Sequence, residues 1–174
     1  MSVIQIRDHN EMIEIHFSEV RKYHGSAALM ALAVGFRVLQ VAFAELYRDG
    51  IPDRKDIFIL SGHGGPGFRD VYEFVTRAVT RQAYKVDTNY PRGQYDPYRS
   101  QSYSFVISNQ EGAAVEVTLK EDFLPPIFYE YLKKGREGSM TESEHEANKL
   151  LKEKCCKRAL ELPLHELLYI RRLQ

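Results

Sequence analysis

The chain has 174 residues and 24 basic side chains against 24 acidic ones, a formal net charge of zero. That length suits one domain with a real core, and the charge balance argues against a general nucleic-acid binder, whose affinity comes largely from neutralising phosphates. The two cysteines, Cys155 and Cys156, are adjacent in sequence, so on a helix they point about 100° apart and suit no disulfide framework.

Taken in chain order, residues 1–10 mix polar and apolar types with no apolar leader. Glu11 to Tyr23 is expected to be a first helix, with Met12, Ile13, Ile15, Phe17 and Val20 as its apolar residues, and Gly25 breaks it. A second helix is expected from about Ser26 to Arg48. Leu29, Leu32, Ala33, Phe36, Phe43 and Tyr47 keep helical spacing there, and Gln40 is the polar exception. Alanines and Gly35 keep this helix slim, and it is expected to be the central, most buried one. Its longest apolar run, Ala27 to Phe36, is closed by Arg37 and is too short to span a bilayer. No membrane contact is expected, and a reducing cytoplasm is the expected compartment.

Ile57 to Leu60 is a short strand without polar alternation, so burial on both faces is expected. A glycine-rich turn follows, then a third helix from Phe68 to Arg81. The stretch from Tyr84 to Ser102 is expected to be irregular: it is rich in tyrosine and broken by Pro91, Gly93 and Pro97. A loop of that length binds something or moves. Tyr103, Phe105 and Ile107 then alternate with serines. Asn109 to Gly112 turns the chain, and Val115, Val117 and Leu119 alternate in return, giving an antiparallel hairpin with one apolar face. Pro125-Pro126 opens a further helix that ends near Gly135 and Gly138. Thr141 and Glu144 fit a capping box before a charged helix to about Leu160. A last amphipathic turn or helix covers Leu164 to Ile170. The elements are segregated rather than strictly alternating, so the expected class is α+β. A small mixed or antiparallel sheet packs on a long central helix, with C-terminal helices, in a single domain over residues 1–174.

The richest segment for chemistry is Ser61-Gly-His-Gly-Gly-Pro-Gly67. An apolar strand runs into a turn that is nearly all glycine, with one imidazole in it. The glycines Gly62, Gly64, Gly65 and Gly67 permit backbone angles closed to other residues and close approach to a ligand. His63 can bind a metal or move a proton; it can equally be a solvent-facing turn residue. His24, in Tyr23-His-Gly-Ser26, also lies beside a glycine at an element junction. The two imidazoles could meet at one end of the core and hold zinc, iron, nickel or copper, with a third ligand from Asp70, His16, Asp87, a tyrosine or a partner chain. His9, His145 and His165 are expected to face solvent. Of the cysteines, one is expected in the core and one partly exposed. A His-Gly-Gly-Pro-Gly string also occurs in the oxyanion-hole loop of some α/β-hydrolases, but the G-x-S-x-G elbow that chemistry needs is missing from the sequence.

A second reading needs no metal. Backbone N–H groups at Gly64, Gly65 and Gly67, at the start of the third helix, would hold an anion. The tyrosine-rich loop, with Tyr95, would close over it, and with Arg81, Arg92 and Arg99 it could stack on a planar molecule or bind an anion, or equally form a dimer contact. A third reading is a structural dimeric subunit without a site. Catalytic residues are not assigned.

The order of these features resembles the core domain of the FmdE-like family of formylmethanofuran dehydrogenase proteins. Tyr23-His24-Gly25 and Gly35-Phe36-Arg37 match the two ends of its His-Gly helix. Ile57 to Leu60, His63 and Asp70 follow in similar order, and Pro126-Ile-Phe128, Gly138 and Leu160-Glu-Leu-Pro163 match its tail. The family's second histidine is replaced around Ser26, its first cysteine is lost among Ala27, Ala28 and Leu29, and His63 stands in for the cysteine of its second turn. The resemblance implies a homodimer with a metal or metal cofactor near His24 and His63, a redox or metal-handling role in anaerobic one-carbon metabolism and, through one imidazole, haem as a further option.

Overall fold

The first elements depart from the helical expectation. In the computed structural model, which describes residues 3–173 of the expected 1–174 domain, β1 (Val3–Asp8) and β2 (Glu11–His16) form an antiparallel hairpin that sets Ile4 opposite Ile15 and Ile6 opposite Ile13. His9 and Asn10 turn it with φ of 49° and 68°, the left-handed pair that matches the twist of a two-residue hairpin loop. Only Phe17 onward is helical, as α1 (Phe17–His24). Ile13 and Ile15 have the period of a strand, and their partners are the isoleucines of β1. The helical reading joined them to Phe17 and Val20, which belong to the next element.

Gly25, at φ +93°, separates α1 from α2 (Leu29–Tyr47). α2 is the central helix as expected, with an unbroken buried run from Leu29 to Leu39. By length and composition α2 could cross a membrane, which corrects the expectation drawn from its shorter uninterrupted run. Here its flanks are instead taken by α3, α5 and the sheet. Arg37, buried in this run, donates to the carbonyls of Ala159, Leu160 and Leu162 at 2.8, 2.7 and 2.8 Å. Ala159 and Leu160 lie in the last turn of α5 (Glu142–Glu161) and Leu162 caps it; these end carbonyls have no partner inside the helix, and the guanidinium sits at the negative end of the helix dipole.

The main sheet has five strands in the order β4-β3-β5-β6-β7. β3 (Phe58–Ser61) feeds α3 (Pro66–Thr76), which returns to β4 (Tyr84–Val86) as a parallel neighbour of β3. The expected hairpin is β5 (Ser104–Ser108) and β6 (Ala114–Leu119). Burial of β3 on both faces does not hold: Ile59 is buried, but Phe58 on the outer face is 41% exposed. α3 stops before the expected Arg81 because Arg77 turns left-handed at φ 59°. The C-terminal stretch is helical only at α6 (Leu164–Leu167) and then becomes β7 (Leu168–Leu173), paired with β6. α4 (Pro126–Glu137) and α5 stand where expected, and Thr141 and Glu144 make the reciprocal capping box. The class is α+β, and the buried apolar side chains form one cluster.

The tyrosine-rich stretch contains β4 and is tied down. Glu116, almost wholly buried on β6, accepts from Tyr90 Oη and pairs with Arg92 at 3.0 Å and Arg171 at 3.0 Å. Gln94 bridges to Ser102 through the backbone and donates to the Thr88 and Tyr90 carbonyls. The segment therefore lies as a fixed cover on the outer face of the sheet around Ser104 and Thr118.

Candidate functional site

A cavity of about 170 Å³ lies between the first turns of α2 and α3 and the face of α4, with the His63 turn as one wall. Its apolar wall includes Met30, Ala31, Phe128 and Leu132, and its polar lining comes from His63, Arg99, Tyr103 and Lys152. The turn glycines act by size rather than by backbone angle. Gly62, Gly64, Gly65 and Gly67 all have φ outside the left-handed region, which corrects the expected use of their freedom. A Cβ on Gly67 would lie 2.7 Å from Ala31 Cβ, and one on Gly65 2.7 Å from the His63 ring. Small residues on both helices therefore let the start of α3 meet the start of α2 beside the cavity.

His63 is buried between Phe68 and Tyr103, with ring centroids at 4.8 and 5.0 Å. Its Nδ1 accepts the Gly65 N–H at 2.9 Å. An accepting Nδ1 carries no proton, so the neutral ring holds its hydrogen on Nε2. Burial, with Arg99 adding to it, pushes the imidazole pKa down to about 3, so the ring stays neutral at physiological pH. Nε2–H has no partner among the described residues and is a donor at the cavity wall. Ser61 Oγ fixes the turn from behind, donating to the His63 carbonyl at 2.8 Å and accepting its N–H at 3.1 Å.

Tyr103 is fully buried, and its hydroxyl has no hydrogen-bond partner among the described residues; the hydroxyl of neighbouring Tyr129 and Oδ2 of Asp96 likewise make no hydrogen bond. Burial raises the Tyr103 pKa well above the phenol range, with Tyr129 and Asp96 adding to it, so Tyr103 is a neutral hydroxyl. Arg99 is at the mouth, with Nε 3.6 Å from Asp96 Oδ2. Lys152 donates to the Ala27 carbonyl at 3.0 Å, and burial lowers its pKa.

The expected ligand-binding residues divide. Gly65 and Gly67 line the cavity, but Gly64 and Tyr95 do not. Gly64 N–H is taken by Gln101 Oε1 at 3.1 Å. Tyr95 stacks on Tyr103 at 6.1 Å between centroids and spends its hydroxyl on the Leu119 carbonyl at 2.7 Å, so it is packed behind the site. Of the expected cradle of backbone N–H groups, Gly64 and Gly65 have committed theirs and Pro66 has none, which leaves Gly67 alone at the cavity.

His24 and His63 are held by separate partners. His24 Nδ1 lies 2.7 Å from Asp70 Oδ2, so the expected third ligand pairs directly with one of the expected two. Such a carboxylate-supported imidazole is what metal ligands often use. His63 has the opposite arrangement, since a metal on Nε2 would need the proton on Nδ1, where the Gly65 N–H already points. Among the described residues no three His, Cys, Asp or Glu side chains gather closely enough to share an ion. The residues present therefore do not fit a metal shared by the two histidines. The cavity is also below the roughly 300 Å³ at which drug-sized pockets begin, too small for a haem macrocycle.

His9, His145 and His165 are exposed as expected. Both cysteines are buried, against the expected split, because both are enclosed where α5 meets the core. Of the three arginines expected to bind an anion with the tyrosine-rich loop, Arg99 lines the cavity, and sequence reasoning missed Tyr103 and Lys152 as cavity residues. Tyr103 reads as hairpin core and Lys152 as one charge among many on α5, and only the tertiary approach of α4 and α5 brings them together. No family model matches the chain, and no curated protein matches it.

Proposed function

We propose that this chain is a small-molecule-binding domain whose site is the cavity at the His63 turn, and that its ligand is a small anion with an apolar body. The observation that carries the reading is the sorting of the cavity wall: apolar side chains form most of it, and its ionisable or ring polar groups are all suited to donate. Neutral His63 offers Nε2–H, and Arg99 and Lys152 positive charge, while the lining contains no carboxylate. Donors without acceptors select an acceptor ligand, because a buried donor left unpaired costs about 1–3 kcal/mol. The start of α3, whose Gly67 is part of the wall, adds the positive end of a helix dipole.

A metal-handling role, with a place in the FmdE-like family, is supported by the motif order around His24 and His63 and by the His24–Asp70 pair. It has less support than the cavity, because His63 presents a proton where a metal needs a lone pair. Nothing in the cavity points to a nucleophile paired with a base, so binding rather than catalysis is proposed.

Amide chemical-shift mapping with a set of small carboxylates tests the reading. Shifts are expected to concentrate on Ala31, His63, Gly65 and Gly67, and to vanish in Leu132→Trp, whose indole fills the cavity from α4. Shifts scattered over the surface, or unchanged by Leu132→Trp, would sink it.

A further inference from the structure

We infer that the ligand is a monocarboxylate bearing one ring-sized or branched apolar group, and that the site rejects phosphates and dicarboxylates; this rests on the cavity reading above. Three observations on the geometry point that way.

The first is charge. Arg99 and Lys152 bring two positive charges to the wall, His63 is neutral, and Asp96 at 3.6 Å cancels one of the two. The balance left is a single positive charge, which one carboxylate matches and a dianion exceeds. Arg136, exposed on α4, does not line the cavity, and solvent screens it.

The second is donor geometry. A phosphate at a helix start is usually cradled by successive backbone N–H groups. Here those of Gly64 and Gly65 are spent on Gln101 and His63, and Pro66 supplies none. The donors that remain are the Arg99 fork, the Lys152 ammonium, His63 Nε2–H and the single N–H of Gly67. A planar guanidinium with separate single donors, in place of a run of successive backbone N–H groups, suits the two coplanar oxygens of a carboxylate better than a tetrahedral anion.

The third is size. The cavity of about 170 Å³ is close to the roughly 150 Å³ engineered cavity that holds one benzene ring. Met30, Ala31, Phe128 and Leu132 leave the inner part apolar. A long acyl chain or a fused ring system exceeds that space.

Asp96 holds Arg99 in place through the same ion pair, and its Oδ1 accepts the Tyr98 N–H at 2.8 Å. Tyr98 in turn lies under Lys133 of α4. Asp96 is thus a positioning residue for the arginine fork.

Isothermal calorimetry on the full chain with benzoate, benzyl alcohol, phenylphosphonate and phthalate separates the possibilities. Benzoate is expected to bind at least about tenfold more tightly than each of the other three, the worth of one charge-assisted contact. Arg99→Gln is expected to erase that preference, weakening benzoate far more than benzyl alcohol. Asp96→Asn is expected to strengthen phenylphosphonate relative to benzoate, an effect that simple destabilisation would not produce. Equal binding of benzoate and benzyl alcohol, both blocked by Leu132→Trp, overturns the carboxylate assignment and leaves the cavity reading standing. Phenylphosphonate binding as tightly as benzoate overturns it too. No binding by any of the four overturns this inference and the cavity reading together.

Discussion

His63 shows how one hydrogen bond decides a residue's chemistry. The Gly65 N–H on Nδ1 fixes the tautomer, burial keeps the ring uncharged, and together they turn a versatile side chain into a neutral donor. The same facts set a pH dependence. The imidazole titrates near its ordinary value of about 6.5 when unfolded and near 3 when folded. Between those values the unfolded state binds more protons, so stability rises with pH. His63 thus contributes nothing unfavourable above about pH 6.5, and stability falls as the pH drops from there toward 3. The full loss is bounded at roughly 5 kcal/mol. Urea denaturation of the wild type and His63→Gln between pH 7 and 4 checks this: the wild type is expected to lose stability more steeply, and parallel curves would contradict it. His63 was legible in the sequence as a residue of interest, because a lone imidazole among glycines at a strand-to-helix junction stands out. Its tautomer was not, because that depends on an angle between His63 and Gly65 that composition does not encode.

At the level of elements, the approach of α3 to α2 depends on glycine. A Cβ at Gly35 would stand 2.4 Å from Val71 Cγ1. Gly35→Ala gains about 1 kcal/mol of helix propensity but overpacks that contact at about 1–3 kcal/mol. A net destabilisation is expected in chemical denaturation, and Val71→Ala in the same chain is expected to recover part of it, as coupled neighbours do. Arg37 joins α2 to the end of α5. Arg37→Met keeps bulk but leaves three carbonyls unpaired, so a loss of about 3 kcal/mol is expected, seen as a melting temperature lower by roughly 10 °C. A change within about 1 °C would show that water serves those carbonyls as well. Helices with strong caps or long apolar stripes, α2 and α5, were legible in the sequence. β1, β2, β4 and β7 were not. β1 and β2 turn at His-Asn instead of a glycine pair, β4 is only Tyr84–Val86, and β7 follows α6 without a break, so each is defined by its partner strand rather than by its own pattern.

Across the whole molecule, the sheet and α2 serve as a frame that brings α3, α4 and the stretch from Tyr84 to Ser102 to one pole. Glu116 ties that stretch to the sheet through Tyr90, Arg92 and Arg171. Glu116→Leu is expected to raise amide exchange across residues 87–101 and to weaken ligand binding at Arg99, some distance from the substitution. Unchanged exchange would mean that the backbone bonds around Gly93 and Ser102 suffice. The α+β class followed from segregated helix and strand patterns, and it holds. The cavity did not follow, because its wall is assembled from α2, the His63 turn, Arg99, α4 and α5, which lie far apart in sequence.

The most direct test is a crystal of the protein soaked in 4-bromobenzoate, with anomalous data collected at the bromine edge. One strong bromine peak is expected among Met30, Ala31, Phe128 and Leu132, with the carboxylate reaching Arg99 and His63 Nε2. A bromine peak elsewhere, or an empty cavity beside well-ordered walls, would contradict a carboxylate site at the His63 turn.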